Sequence, residues 1–66
     1  MRLTVNGEVR EAPDQATLAD LLASLGIETR KVAVERNREI APRSQWSEIS
    51  LAEGDQVEIV QFVGGG

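Results

Sequence analysis

The chain ends in three consecutive glycines, Gly64, Gly65 and Gly66, and this ending is the part of the sequence best suited to chemistry. A segment without side chains can pass through a narrow channel and adopt backbone angles that other residues avoid. Three extended residues span roughly 10 Å, which is enough to bring a carboxylate into the active site of another protein. We therefore predict that the terminal carboxylate of Gly66 is the reacting group and that Gly64 and Gly65 form a slim tail.

The side chains offer little chemistry of their own. The chain has no Cys and no His, which removes the thiolate nucleophile, the commonest general base and most zinc or redox-metal sites. We expect no catalytic side chain, no bound metal and no independent enzyme activity. An ionised α-carboxylate is a poor electrophile, and it would be activated by joining to AMP at the expense of ATP. The sequence has no phosphate-binding glycine loop with a following Lys, so we expect no bound cofactor and ATP use by a partner enzyme.

Composition predicts one small globular domain. The 66 residues are 41% apolar and 27% charged, with a formal net charge of −4, which argues against nucleic-acid binding. No apolar run approaches the roughly 20 residues of a membrane span, so we expect a cytoplasmic protein that binds neither membrane nor nucleic acid. The segment from Ser44 to Gly66 has four acidic residues and no basic one. This asymmetry suggests a basic protein partner, and ordinary solubilising charge is the alternative.

The first part of the chain predicts a hairpin followed by a helix. Met1–Val5 alternates apolar and polar residues, Asn6-Gly7 favours a two-residue turn, and Glu8–Glu11 should return as a charged edge strand. Thr17 is then a candidate N-cap, and Gly26 a candidate C-terminal stop. The helix between them has one apolar stripe of four leucines: Leu18, Leu21, Leu22 and Leu25. We interpret this stripe as core.

The second part predicts three more strands around an irregular segment. Val32–Arg36 has strand composition, Asn37-Arg38 is a turn, and Glu39–Ala41 is a short strand that ends before a proline. Trp46 should cover one end of the core rather than stack on a ligand. Gln56–Val63 is the last strand. The order of elements predicts an α+β fold with a sheet of four to five strands packed on one helix, with residues 1–63 as the domain and residues 64–66 as a flexible tail.

The last strand is predicted to present an apolar surface beside the tail. If Val57 and Ile59 face the helix, Val60 and Phe62 lie on the open face of the sheet. Exposed large apolar residues in a cluster usually mark a binding site. We therefore predict that Val60, Phe62 and Val63 contact a protein partner. The alternative is that a loop covers them.

Essentially the whole chain resembles the ThiS family, the sulfur carriers of thiamine biosynthesis, which are ubiquitin-like β-grasp proteins with a mixed sheet and a Gly-Gly end. The likeness rests on Asn6-Gly7, Thr17, Leu21-Leu22, Leu25-Gly26, Val32-Ala33-Val34, Arg36-Asn37, Ile40, Pro42-Arg43-Ser44, Trp46, Leu51, Gly54-Asp55, Val57-Glu58-Ile59-Val60 and Phe62-Val63-Gly64-Gly65-Gly66. The family motif needs two glycines, so Gly64 is predicted to be a spacer.

The resemblance implies a function for Gly66. In this family an adenylating enzyme of the ubiquitin-activating type converts the terminal glycine to an acyl adenylate. Sulfur from a cysteine desulfurase then replaces AMP and leaves a thiocarboxylate, from which thiazole synthase takes the sulfur. Two alternatives share the fold: the small subunit of molybdopterin synthase, which also carries a thiocarboxylate, and a ubiquitin-like tag or interaction module. The compact chain and the segment from Arg36 to Trp46 favour the thiamine carrier.

Overall fold

A computed structural model describes residues 1–61, which form a five-stranded sheet with one helix packed against it. The elements in chain order are β1 (Arg2–Val5), β2 (Glu8–Glu11), α1 (Leu18–Ser24), β3 (Val32–Arg36), β4 (Glu39–Ile40) and β5 (Gln56–Gln61), with 3₁₀ turns at Thr29–Lys31 and Arg43–Gln45. The strand order is β2-β1-β5-β3-β4. β1 and β5 are parallel and the other neighbours are antiparallel, which confirms the predicted α+β fold with a mixed sheet.

The first hairpin forms as predicted. Asn6 and Gly7 have φ angles of 51° and 82°, and a two-residue turn with positive φ at both positions matches the twist of the strands that it joins. β2 is an edge strand, and all four of its residues are exposed. Its three charged residues discourage pairing with another sheet at this edge.

Local signals set both ends of the helix. The Thr17 hydroxyl accepts a hydrogen bond from the Asp20 N–H at 3.1 Å, and the Asp20 carboxylate accepts one from the Thr17 N–H at 2.9 Å. Thr17 is therefore the N-cap, as predicted, and it forms a capping box with Asp20. At the other end Gly26 has a φ of 69°. The N–H groups of Gly26 and Ile27 donate back to carbonyls of the last helical turn, which is the Schellman arrangement.

The helix packs across the three inner strands of the sheet, β1, β5 and β3. The completely buried side chains are Leu3, Leu18, Leu22, Val34 and Val57, which come from β1, α1, β3 and β5. The leucine stripe is therefore core, as predicted. Among residues 1–61, no helix is long and apolar enough to cross a membrane.

Trp46 closes one end of this core. Its ring is buried, its indole N–H donates to the Ala41 carbonyl at 2.8 Å, and the guanidinium of Arg43 lies 5.0 Å from the ring centroid. Arg43 in turn donates to the carbonyls of Thr29 and Val32. The structural role predicted for Trp46 is confirmed, and Arg43 ties the segment after β4 to the start of β3.

A buried polar cluster holds the beginning of β5. The Asp55 carboxylate accepts hydrogen bonds from Arg36 Nε at 2.8 Å, from Asn37 Nδ2 at 3.1 Å and from the Ala52 N–H at 2.9 Å. The Asn37 side-chain oxygen accepts from the Gln56 N–H at 2.9 Å. Asp55 follows Gly54 in a segment of turn composition, and no local sequence pattern predicts its burial.

Candidate functional site

The candidate site is the end of β5, from which the chain continues toward the glycines. β5 lies in the middle of the sheet, and Val60 and Gln61 pair with Ala33 and Val32 of β3. The end of this strand is therefore held by β3 on one side, whereas β1 pairs only with Gln56 and Val57 at its beginning. The remaining predicted site residues, Phe62, Val63, Gly64, Gly65 and Gly66, lie outside the described residues, so their roles stay predictions.

The side chain of Asn6 extends the pairing between β1 and β5 beyond the end of β1. The Asn6 N–H donates to the Val57 carbonyl at 2.8 Å. Its side-chain Oδ1 accepts from the Ile59 N–H at 2.7 Å, and its Nδ2 donates to the Ile59 carbonyl at 3.3 Å. An amide side chain has both a donor and an acceptor, so Asn6 bonds to both backbone groups of Ile59 where β1 has already turned away.

The Asn6-Gly7 pattern predicts only a turn role for Asn6. Its turn function needs a positive φ, which Asp or Gly would also tolerate. The side-chain amide of Asn6 is needed only for its hydrogen bonds to Ile59, which lies 53 positions later in the sequence. The chain has two asparagines, and the side chains of both bond to the backbone of β5, Asn37 at its first residue and Asn6 near its last.

We expect Asn6→Gly to loosen the end of β5 selectively. Glycine keeps the positive φ of the turn but removes both hydrogen bonds to Ile59, a loss of about 1 kcal/mol. Native-state hydrogen exchange should show that the Ile59 amide exchanges faster in the variant than in the parent, while the exchange rate of the Val34 amide serves as the reference. The comparison variant is Asn37→Gly, which removes the bonds of Asn37 to Gln56 and Asp55 and should speed exchange at Gln56 more than at Ile59. Equal acceleration throughout the sheet in both variants would contradict a local role for Asn6.

The open face of the sheet carries the exposed apolar side chains. Val9, Ile40 and Val60 are the exposed large hydrophobic residues within residues 1–61, at 64%, 70% and 57% of their full accessibility. All three lie on the face away from the helix. Val60 alternates along β5 with core-facing residues, and Val9 and Ile40 are the register partners of residues that alternate with core-facing ones. No part of residues 1–61 covers Val60, so the alternative of a covering loop is wrong for this residue. Its contact with a partner stays a prediction.

The helix side of the same strand end borders an open groove of about 600 Å³. Asn6, Ile27, Ile59 and Gln61 are among its lining residues. Within the described part of the chain, no group of three or more Asp or Glu side chains is placed to hold a metal ion. The strand end thus offers a groove on the helix side and exposed apolar surface on the other.

The matches of this chain to known proteins point to one protein family. The model of the ThiS family matches residues 3–66. The sulfur carrier protein ThiS of Bacillus subtilis is 46% identical over 65 residues, which cover 97% of this chain and 98% of that protein. A thiazole synthase of Paramagnetospirillum magneticum is 48% identical over 66 residues, all of this chain but 20% of that protein. The chain thus spans about one fifth of the length of this relative.

A solved structure agrees with these matches. The crystal structure of the thiamine biosynthesis protein ThiS from Geobacter metallireducens superimposes with a TM-score of 0.87 at 33% identity, and the match covers the whole of both chains. The superposition confirms the ubiquitin-like β-grasp fold. Because the family match includes nearly every residue from β1 to the glycines, the chain belongs to the ThiS family.

Proposed function

We propose that this protein is a sulfur carrier of thiamine biosynthesis that works in the cytoplasm and carries sulfur as a thiocarboxylate at Gly66. The observation that carries the proposal is that the family match extends through residue 66 and so includes the glycine ending. The name of the Bacillus subtilis relative, a sulfur carrier protein, supports the same role. In this proposal residues 1–63 are the recognised body, and residues 64–66 are the tail that enters partner active sites.

The proposed chemistry takes place at one carbon atom. A carboxylate oxygen of Gly66 attacks the α-phosphorus of ATP, and pyrophosphate leaves to give an acyl adenylate. A persulfide supplied by a cysteine desulfurase attacks the acyl carbon and expels AMP. A thiol of the sulfur-delivering partner then attacks the resulting acyl disulfide, which leaves the thiocarboxylate on Gly66 and a disulfide on the partner. Thiazole synthase accepts the sulfur in the last step.

The residues of the chain itself supply position rather than catalysis. The absence of Cys and His in the sequence suits a protein whose own side chains must not compete for the sulfur. β3 pairs with β5 along Val57–Gln61, β1 pairs with its first two residues, and the side chains of Asn37 and Asn6 bond to its backbone at Gln56 and Ile59. When a partner binds the folded domain, the rigid strand fixes the point from which the tail starts. The distance from the bound domain to the terminal carboxylate is then limited by the length of the tail.

Genetic rescue tests the proposed function. A thiamine-requiring bacterial strain that lacks its own sulfur carrier should grow without thiamine when it expresses this chain. A second strain that lacks the small subunit of molybdopterin synthase is the control, and we expect no recovery of molybdenum-cofactor activity there. Recovery of the second strain alone would favour the molybdopterin assignment. Recovery of neither strain, with the chain attached to lysines of other proteins, would favour a ubiquitin-like tag.

A further inference from the structure

The chain contains a single lysine, and this lysine lies close to the end of β5. Lys31 is the only lysine among the seven basic residues, and the other six are arginines. The next residue, Val32, is the register partner of Gln61. Register partners lie about 5 Å apart and consecutive Cα atoms about 3.8 Å apart, so the Cα atoms of Lys31 and Gln61 lie within about 10 Å of each other.

The side chain of Lys31 is exposed and has no ionic partner among residues 1–61. Its backbone N–H donates to the Glu28 carbonyl at 3.1 Å within the 3₁₀ turn Thr29–Lys31. The Glu28 carboxylate pairs with Arg30 instead, at 3.4 Å. None of the ion pairs of the described residues includes Lys31. The Nζ amine is therefore open to solvent without a competing salt bridge from this part of the chain.

The other nitrogen groups of the chain are poor competitors for an activated carboxyl group. A guanidinium stays protonated in proteins, so none of the six arginines can act as a nucleophile. The Met1 amine donates to the Ala12 carbonyl at 2.7 Å. It precedes β1, which runs parallel to β5 with Thr4 beside Gln56, so this amine lies at the opposite end of the sheet from Gln61.

The segment after Gln61 is long enough to bring the terminal carboxyl group back to Lys31. Residues 62–66 span roughly 17 Å when extended, which exceeds the separation of about 10 Å between the Cα atoms of Gln61 and Lys31. The three glycines at the end accept the backbone angles of a tight turn. A nucleophile joined to its target by a short segment has an effective concentration in the millimolar range, far above that of amines on other copies of a micromolar protein.

We propose that Lys31 is a modification site at which the adenylated chain closes on itself when no sulfur is delivered; this inference rests on the proposed function. The acyl adenylate at Gly66 leaves the adenylating enzyme, and the neutral Nζ amine of Lys31 attacks its acyl carbon. An amide bond forms, the bond to AMP breaks, and the amine releases one proton. The product has lost one water molecule relative to the parent. It has no free terminal carboxylate and cannot be adenylated again.

Sulfur delivery protects the chain from this reaction. A persulfide competes with the amine for the same acyl carbon, and sulfur is intrinsically the stronger nucleophile. Once the thiocarboxylate has formed, its carbon no longer carries AMP, and attack by Lys31 would have to expel sulfide from an anionic group. The closed product should therefore accumulate only while ATP and the enzyme are present and the sulfur donor is absent.

Incubation of the chain with ATP and the adenylating enzyme, without a sulfur donor, tests this inference. Intact mass spectrometry should show a monomer that has lost the mass of one water. Cleavage after glutamates should release peptides 29–35 and 59–66 joined through Lys31 and Gly66. Lys31→Arg keeps the charge but should give no closed product. Its rate of sulfur gain in the complete system should equal that of the parent.

The matched control moves the amine without changing the composition. The double substitution Lys31→Arg and Arg38→Lys places it in the turn after β3, where the Asn37 N–H donates to the Gln56 carbonyl at 2.7 Å, at the far end of β5. Only a fully extended tail could reach it there, so closure should be at least about ten-fold slower than in the parent. The combination of Lys31→Arg with Arg30→Lys shifts the amine by one residue and should restore closure.

Each other outcome has a distinct meaning. Equal closure in the parent and in Lys31→Arg, equally fast closure with the amine at position 38, or a product joined at Met1 would overturn the assignment of Lys31. Amide-linked dimers in place of the closed monomer would overturn closure within one chain. A parent that releases pyrophosphate and gains sulfur, but never loses water without the donor, would overturn this inference alone. A parent that neither releases pyrophosphate nor gains sulfur would overturn the proposed function, and this inference with it.

Discussion

Deletion of Gly66 is expected to abolish sulfur loading while the fold stays intact. The variant still ends in a glycine carboxylate, but that carboxylate is one residue, or about 3.5 Å, closer to β5. A misplacement of 1 Å at a reacting centre can cost about a hundred-fold in rate, so a full residue should remove measurable activity. Intact mass spectrometry after incubation with ATP, the adenylating enzyme and a sulfur donor measures the replacement of oxygen by sulfur.

The control for this experiment is Gly66→Ala, which keeps the length of the tail and adds one methyl group. If the tail must be thin as well as long, this variant should load sulfur slowly but detectably, and the deletion should not load at all. Circular dichroism should be identical for both variants and the parent. Loading of the deletion variant at the rate of the parent would show that Gly66 is not the reacting residue.

Asp55→Asn is expected to cost about 3 kcal/mol of unfolding free energy, which is a large share of the stability of a domain this small. The Asp55 side chain is only 8% exposed, and both of its oxygens accept hydrogen bonds, from Arg36, Asn37 and the Ala52 N–H. Asparagine keeps one acceptor and places an NH₂ group against the remaining donors. Urea denaturation of both proteins at neutral pH measures the difference.

Asp14→Asn is the control for this substitution. The Asp14 side chain is 88% exposed and lies 3.3 Å from the N-terminal ammonium. Exposed pairs contribute about 0.2–1 kcal/mol, so the effect should be several times smaller than that of Asp55→Asn. Similar losses for the two variants would contradict the structural role of the buried cluster.

The same cluster predicts how stability depends on pH. Burial raises the pKa of Asp55, but hydrogen bonds from the Ala52 N–H, Asn37 and Arg36, together with the charge of Arg36, outweigh burial and lower this pKa below its usual range. The folded pKa is therefore lower than the unfolded one, near 3.9. The contribution of Asp55 is fully present above the unfolded pKa and is lost as the pH falls through the folded pKa. The difference in stability between parent and Asp55→Asn should shrink over this acidic range, and a constant difference would contradict it.

Local sequence signals were sufficient for much of the fold. The helix follows from Thr17, its leucine stripe and Gly26, which all lie within ten residues, and the first hairpin follows from Asn6-Gly7. The exposure of Val60 followed from simple alternation along β5. Patterns of this kind depend on neighbours in sequence, so one sequence is enough to recognise them.

Contacts between distant segments could not be predicted in the same way. The bonds of Asn6 to Ile59 join residues 53 positions apart, and the pairing of Glu35 with Glu58 depends on the register of two strands. A shift by one residue would separate the glutamates without changing either strand's composition. The burial of Asp55 likewise depends on β3 and the turn after it. Side-chain roles of this kind became visible only when the strands were placed together.

The bonds of Asn6 also bear on the chemical ageing of the protein. In an Asn-Gly sequence the backbone nitrogen of the glycine can attack the side-chain carbonyl of the asparagine and release ammonia, because glycine hinders this approach so little. The folded protein holds the Asn6 amide on Ile59 through both its oxygen and its nitrogen, which limits its freedom to turn toward the Gly7 nitrogen. The native sheet therefore protects its most deamidation-prone residue, and each opening of the end of β5 exposes that residue to irreversible damage.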